Sequence, residues 1–540
     1  MATNPVPVQE GKTFLGHPRG LFVLFFAEMW ERFSYYGMRA ILIFYLIQHW
    51  LFSEEKSYVI YGAYTALVYI TPVIGGYLAD RYIGQRRAVQ FGAILLVIGH
   101  GLMAFEGPSP SQFPGLTPAD MQNSIYANIF WLALAFIIMG VGFLKSSISV
   151  MVGQLYPEGD IRRDPAFTIF YMGINLGAAL GSLLVGYLGH TWGWSWGFGA
   201  AGVGMLLGLI VFVWGRPALL GKGEAPDPAR LRERFAGIPL EWRVYLSGLV
   251  GVVVVWFLVQ YQSMVGWLLG LFGLAVVLFI LFNAVFKMER VERHRIIAAL
   301  FLIALQPLFW SLFEQAGSSL NVFTDRHVDR TILGWEVPPG MFQSLNSIYI
   351  ILLAPLFAWL WLNLAKRNLE PSTPAKFGLG LVQLGAGFLV LVAGVAASGN
   401  GMTPVIFIFL IYLLHTMGEL CLSPVGLSAM TKLAPARMAG LMMGTWFLAS
   451  AAGNFIGGLI ASATASGAEE GSTSQVVEVY SQIGWVAIGV GVGVIVIAPL
   501  VRKLMHEELI GRTDHALAGG ETGLAEPAAA GTDTGTERKP

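Results

Sequence analysis

The chain has 540 residues, of which 55% are hydrophobic and only 12% carry a charge. A soluble domain usually carries about 25% charged residues, so this composition excludes an ordinary soluble protein. The 33 Lys and Arg residues balance 33 Asp and Glu residues, and no basic tract indicates a nucleic-acid partner. The single cysteine, Cys421, excludes an intramolecular disulfide and argues against a cysteine-based metal site. The sequence therefore indicates a polytopic helical membrane protein.

The hydropathy pattern predicts fourteen apolar spans, each long enough to cross a bilayer as a helix. No short apolar core followed by a small-residue cleavage site precedes the first span, so we expect that span to be retained. The spans group as six, two and six, at about 21–47, 59–79, 88–105, 127–154, 165–188, 194–214, 242–261, 265–286, 296–323, 341–364, 377–397, 403–432, 438–463 and 476–501.

This grouping predicts an all-α membrane protein with an N-terminal six-helix bundle (1–215) and a C-terminal six-helix bundle (294–505). Between them we expect a linker with two additional transmembrane helices (216–293). The Gly/Ala/Thr/Glu-rich tail (506–540) is expected to be a disordered cytoplasmic segment. Four prolines are expected to interrupt helices of the C-terminal bundle, namely Pro307, Pro355, Pro404 and Pro424.

Loop charges predict the orientation. Lys and Arg residues concentrate in the loops of one side, whereas the opposite side offers only Lys56, Arg326 and Arg330. Because positively charged loops stay in the cytoplasm, both termini are expected to be cytoplasmic.

The first span carries Glu28, Glu31, Arg32 and Arg39 where lipid would normally forbid charge. Each such charge near mid-membrane costs roughly 2.5–3.5 kcal/mol. Glu28, Arg32 and Arg39 recur at i, i+4 and i+11, with Tyr35 or Tyr36 between them, so they share one helix face. That side of the helix must therefore contact other helices or water rather than lipid.

The ionisable groups inside apolar spans are unbalanced. Three are cationic and four are acidic, so we expect at least one buried carboxyl to carry a proton. A proton site that empties and refills is what coupling to a pH gradient needs. The alternative, fixed ion pairs alone, accounts less well for seven groups on four helices: Arg32, Arg39, Lys145, Glu28, Glu31, Glu314 and Glu419. 

His415 lies one turn before Glu419 and titrates most easily near neutral pH. A buried histidine satisfied by a carbonyl group is the favoured interpretation.

The loop Gly76–Arg87 reads GYLADRYIGQRR and resembles the signature loop of the major facilitator superfamily. The alternative is an ordinary positively charged cytoplasmic loop. Superfamily members transport by rocking two six-helix halves about a central site.

The segment Glu28–Gly37 reads EMWERFSYYG and resembles the ExxER(F)xYYG signature of the proton-dependent oligopeptide transporter (POT) family. Phe170–Gly177, FYMGINLG, is similar to the family's FYxxINxG segment. The two extra helices are similar to those of bacterial members, and the resemblance covers about residues 15–505. Two departures, at Ala178-Ala179 and within Gly142–Ser147, bear on substrate range rather than on family.

The resemblance implies a non-enzymatic symporter, without a cofactor other than the coupling protons, that imports di- and tripeptides across the bacterial inner membrane. It implies that Arg32 and Lys145 meet the peptide carboxylate, and Arg suits a bidentate grip while Lys acts as a point charge. The resemblance also implies that the amino end of the peptide meets Glu419, Asn175 and Asn346. Further implied pocket residues are Tyr35, Tyr36 and Tyr69, with Trp446 at a side-chain subsite.

Glu314 resembles the acidic residue on the first helix of the family's second six-helix bundle, and it is predicted to bind the coupling proton together with Arg39. Glu28 and Glu31 are the other candidates for proton binding. The chain is expected to function as a monomer in the lipid bilayer, without a nucleic-acid partner. No nucleotide is expected either, because the segment Gly215–Lys222 departs from P-loop spacing. A relative that carries nitrate or another small anion is the alternative. A passive channel or a non-transporting receptor is a second class.

Overall fold

The computed structural model describes residues 13–157, 160–399, 401–465 and 473–507, and these are almost entirely helical. The predicted all-helical membrane fold is confirmed. Fourteen long helices follow one another through these residues: α1 Arg19–Phe44, α2 Glu54–Leu78, α3 Gln85–Met103, α4 Ile125–Gln154, α5 Arg163–Thr191, α6 Trp194–Trp214, α7 Leu240–Gln260, α8 Gln262–Lys287, α9 Arg290–His327, α10 Ser344–Lys366, α11 Thr373–Ser398, α12 Ile406–Leu433, α13 Ala439–Ala465 and α14 Thr473–Met505.

Twelve of these helices are long and apolar enough to cross a membrane by length and composition. The other two are α1, which holds the four buried charges, and α3, which begins with the basic pair Arg86 and Arg87. We refer to α1–α6 as the first half and to α9–α14 as the second half. The predicted tail lies almost wholly outside the described residues, which end at 507.

Helix α9 is broken rather than continuous. It consists of Arg290–Ala304, Gln306–Phe313, a 3₁₀ turn at Glu314–Gly317, and Ser319–His327. Pro307 follows the first break, as expected. The other proline predictions are wrong, because Pro355 and Pro424 lie inside continuous helices and Pro404 lies in a two-residue strand before α12. Neighbouring helices in a membrane protein satisfy the backbone groups that a proline frees.

The connections between the long helices carry little regular structure. Ser53 and Ser124 cap α2 and α4 by accepting backbone N–H bonds from Lys56 and Ala127. The predicted loop at 107–123 contains a short helix, Pro118–Gln122. Four two-stranded sheets complete the fold: β1 Thr13–Phe14 with β2 His17–Pro18, β3 Arg234–Phe235 with β4 Ile238–Pro239, β5 Val328–Asp329 parallel to β8 Thr403–Pro404, and β6 Thr331–Ile332 with β7 Trp335–Glu336.

Buried apolar side chains form two large clusters that follow the two halves. Helix α7 packs with the first cluster, whereas the end of α8 packs with the second. Because fourteen helices return the chain to its starting side, residues 13 and 507 lie on one face, which we call the terminal face. The other is the opposite face.

The two halves meet closely towards the opposite face. A Cβ atom built on Gly62 of α2 would lie 2.8 Å from the Cα atom of Gly458 of α13, so only glycine permits this approach. Asn321 donates to the Ala40 carbonyl at 3.0 Å, and Arg326 pairs with Glu54. The structure is therefore closed at the opposite face.

Candidate functional site

Arg32 stands between two carboxylates of its own helix. Its Nε atom lies 2.8 Å from Glu28 Oε1 and 2.6 Å from Glu31 Oε2, and all three side chains are buried. The spacing of four residues places Glu28 and Arg32 on the same helix face, as the sequence predicted. The bond to Glu28 has hydrogen-bond geometry, whereas the approach to Glu31 is a charge contact alone.

Several polar atoms of this cluster lack a hydrogen-bond partner among the described residues. They are Glu28 Oε2, both carboxylate oxygens of Glu31, and Arg32 Nη2. A buried charged group without a partner is costly, so such atoms mark a place where a ligand or a proton would be held. Arg32 Nη2 in particular is a free donor for an anionic group.

Lys145 approaches the same cluster from α4. Its ammonium nitrogen lies 4.3 Å from the centroid of the Tyr69 ring, a cation–π contact. Lys145 is also close enough to Arg32 and Glu31 to interact with them electrostatically. Tyr35 and Tyr36 pack edge to face at 5.2 Å, and the Arg32 guanidinium lies 5.9 Å from the Tyr35 ring.

A second cluster joins the two halves. Arg39 Nη2 on α1 pairs with Glu314 Oε2 in the 3₁₀ turn of α9, and both side chains are buried. This contact is the one that the sequence predicted. Arg39 Nε donates to the Tyr61 hydroxyl of α2 at 2.5 Å. The coupling role of the pair stays a prediction.

A third cluster lies in the second half. Asn346 Nδ2 on α10 donates to Glu419 Oε2 on α12 at 2.9 Å and lies 3.1 Å from the Thr416 hydroxyl. Glu419 is close enough to Glu314, Tyr36 and Tyr171 to interact electrostatically with them. The acidic group of the second half therefore faces α1 and α5 of the first half.

Two predicted pocket residues contact groups of their own halves. Asn175 Nδ2 donates to the Tyr171 carbonyl at 3.0 Å, one turn earlier on α5. Trp446 is buried against Gly426 and Phe377, with its ring centroid 6.3 Å from that of Phe377. Their contacts with a substrate stay predictions.

His415 is buried beside Phe388, with ring centroids 4.8 Å apart, and it bonds to the backbone at Leu384. The sequence favoured a buried histidine satisfied by a carbonyl group; the bond at Leu384 fits this, whereas His415 Nε2 has no hydrogen-bond partner among the described residues.

Three residues of these clusters were not predicted: Tyr61, Thr416 and Gly317. Tyr58, Tyr61 and Tyr64 recur every three residues on α2, and this spacing was the available signal for a buried tyrosine face. Thr416 and Gly317 carry no sequence signal of their own. Their importance depends on which helices become neighbours.

The clusters together place the cationic Arg32 and Lys145 in the first half, the acidic Glu419 in the second half, and the Arg39–Glu314 ion pair between them. A closed opposite face, two six-helix halves and buried charge between them define a membrane transporter that moves its halves about a central site. Nothing in this geometry requires covalent chemistry.

Comparison with known proteins agrees with this class. The model of the POT family matches residues 86–486. The peptide transporter YePEPT of Yersinia enterocolitica is 38% identical over 479 residues, covering 83% of this chain and 88% of the relative. Dipeptide and tripeptide permease B of Aliivibrio fischeri is 32% identical over 503 residues, covering 91% and 96%.

A solved structure agrees as well. The crystal structure of a mutant peptide transporter POT in complex with alafosfalin has a TM-score of 0.77 and 37% identity, covering 92% of this chain and 98% of its own. This chain belongs to the POT family of membrane transporters.

Proposed function

We propose that this protein is a proton-coupled symporter that imports di- and tripeptides by alternating access. The observation that supports this proposal most strongly is that candidate cationic and acidic binding groups lie in different halves. Arg32 and Lys145 lie in the first half, and Glu419 of the second half lies near Tyr36 of α1, the helix that carries Arg32. A small peptide is a zwitterion with one anionic and one cationic end. The peptide names of the two relatives support this substrate class.

Each end of the peptide has a partner of suitable chemistry. The free Nη2 donor of Arg32 and the ammonium of Lys145 suit the carboxylate. The carboxylate of Glu419, held by Asn346, suits the amino group. Tyr35, Tyr36 and Tyr69 would line the space between, with Asn175 near the amino end and Trp446 at a side-chain subsite.

The proton is assigned to buried carboxylates. Glu314 pairs with Arg39 across the two halves, so a proton on Glu314 would break a bond that holds the opposite face closed. Glu28 and Glu31 are the second proton site, since the partnerless oxygens of Glu31 lie beside Arg32. No other cofactor is needed.

We place the terminal face in the cytoplasm of a bacterium and the helices in its inner membrane. The concentration of Arg and Lys residues in the loops of the terminal face supports this orientation. The protein would act as a monomer surrounded by lipid, because its two large apolar clusters, each drawn mainly from one half, are buried within the one chain.

The decisive experiment is uptake of labelled dialanine by proteoliposomes under an inward proton gradient. Accumulation above equilibrium is expected, and a protonophore should remove it. Uptake that never exceeds equilibrium would refute symport and favour a passive channel. Binding without uptake would favour a receptor. A panel of di-, tri- and tetrapeptides would define the length limit.

A carrier of nitrate or another small anion is the second candidate, because Arg32 and Lys145 alone would serve an anion. An anion has no amino end, so Glu419 would have no ligand to bind. Glu419→Gln is therefore expected to reduce dialanine uptake by at least about tenfold, roughly 1.4 kcal/mol of lost binding. Unchanged transport of the true substrate in this variant would favour the anion carrier.

A further inference from the structure

The Tyr61 hydroxyl lies at the point where the two halves meet. It accepts the Arg39 Nε–H bond at 2.5 Å, and both residues belong to the first half. The same hydroxyl faces the 3₁₀ turn of α9, where a Cβ atom built on Gly317 would lie 1.8 Å from it. Tyr61, Arg39 and Glu314 are each at most 5% exposed. The hydroxyl is thus enclosed by both halves.

The position of this bond restricts how Arg39 can hold Glu314. A guanidinium grips a carboxylate most firmly with two parallel N–H bonds, for example from Nε and Nη2. Tyr61 occupies Nε, so the bond from Arg39 to Glu314 is the one from Nη2. The side-on Nε–Nη2 edge is therefore closed to Glu314, and the bond that the pair makes is the one from Nη2.

The aromatic surroundings keep Arg39 in this arrangement. Its guanidinium lies 5.7 Å from the Tyr36 ring centroid and 5.8 Å from that of Tyr61. When Glu314 withdraws, Arg39 still has the Tyr61 hydroxyl as a partner on its own half. Other ionisable groups that face the pair are Tyr35 on α1, Tyr64 and Tyr69 on α2, Lys145 on α4, and Tyr412 and Glu419 on α12.

We propose that Tyr61 is a positioning residue for proton coupling: its hydroxyl occupies Arg39 Nε, closes the two-bond Nε–Nη2 grip on Glu314, and so lets a proton compete for that carboxylate. The inference rests on the proposed symport. In this proposal Tyr61 does not contact the peptide. Without the hydroxyl, the Nε–Nη2 edge of Arg39 becomes available to Glu314, and the pair tightens.

The test compares Tyr61→Phe with wild type by the pH dependence of initial dialanine uptake in proteoliposomes. A tighter pair needs a higher proton activity to break, so the half-maximal pH should fall by about one unit. Tyr64→Phe is the matched control, because the buried Tyr64 hydroxyl has no hydrogen-bond partner among the described residues. Its half-maximal pH should equal that of wild type.

A Tyr61 that only supports packing would lower uptake equally at all pH values. An unchanged half-maximal pH in folded Tyr61→Phe, judged by thermal stability in detergent, therefore overturns the proposal. If wild-type uptake itself ignores the proton gradient, the proposed symport fails instead.

Discussion

The buried charges of α1 work as two separate sets although they belong to one helix. Arg32 lies among carboxylates of its own helix, whereas Arg39, two turns later, pairs with the other half. One set can therefore respond to a ligand within the first half. The other depends on the relative position of the two halves, and a proton on Glu314 would weaken it. The same helix connects both.

At the residue scale, Lys145→Ala should reduce gradient-driven dialanine uptake by at least about tenfold, equivalent to about 1.4 kcal/mol. The reason is that Lys145 is the cation above Tyr69 that remains available for a carboxylate while Arg32 is held by two acids. Uptake by proteoliposomes containing equal amounts of protein measures the effect. Lys366→Ala, at an exposed position at the end of α10, is the control. Equal rates in both variants would remove Lys145 from the site.

The sequence predicted the charged pair between Arg39 and Glu314 but not its hydroxyl partner. Charges inside apolar spans must find partners, so counting them restricts the pairing strongly. A tyrosine in an apolar helix is also an ordinary packing residue, and no such restriction applies to it. Tyr61 became visible only when α2 and the turn of α9 were seen as neighbours.

At the element scale, the linker after α6 is fastened to the first half. Glu224 accepts two bonds from Arg86, at 2.8 and 3.0 Å, and Gly223 exchanges backbone and side-chain bonds with Arg86 and Gln154. Gly84 has a φ of +78°, and a Cβ atom there would lie 2.5 Å from the Glu224 carbonyl carbon. The signature loop between α2 and α3 thus doubles as the docking site of the linker.

This anchor predicts a defined pH dependence. The hydrogen bond from Arg86, helped by the charges of Arg87 and Arg216, holds the pKa of Glu224 below its usual value. A lowered folded pKa contributes stability that is present above the unfolded value of about 4.3 and is lost as the pH falls through the folded value. Protection of the linker from amide hydrogen exchange, corrected for intrinsic rates, should therefore hold from pH 7 to 5 and fall below about pH 4.

Glu224→Gln should lose this protection already at pH 7, because the amide cannot replace the charge. Glu233→Gln, in the same linker, is the control, since Glu233 forms no ion pair among the described residues. Equal protection in both variants would show that the backbone bonds of Gly223 hold the linker alone.

Helix positions were largely predictable, whereas the shape of α9 was not. Long apolar runs bounded by charge locate membrane helices well, because a span must match the thickness of the bilayer. Proline is a poor guide to breaks inside a membrane, as Pro355 and Pro424 show. The turn at Glu314–Gly317 packs against the Tyr61 hydroxyl, and a hydropathy pattern does not predict such a contact between helices.

At the scale of the whole molecule, the two ion pairs that join the halves in the described part of the chain, Arg39–Glu314 and Arg326–Glu54, lie towards the opposite face. Alternating access requires this face to open and close in each cycle. We therefore expect that linking Glu54→Cys to Arg326→Cys with a short, reducible thiol crosslinker reduces uptake by at least about tenfold. Reductant should restore uptake.

Glu54→Cys alone and Arg326→Cys alone are the controls. The crosslinker should not change uptake by either variant, because the native Cys421 is buried. Persistent uptake after complete crosslinking would mean that this face need not open.

The glycine contact between α2 and α13 has an electrical consequence. Where Gly62 and Gly458 bring two backbones together, no layer of water separates the helices, so this region is an insulator. A membrane potential falls mainly across such dry layers, and 100 mV acts on one elementary charge with about 2.3 kcal/mol. Arg39 and Glu314 lie beside this insulating layer. Their bond is therefore placed to respond to the voltage across the membrane as well as to its pH difference.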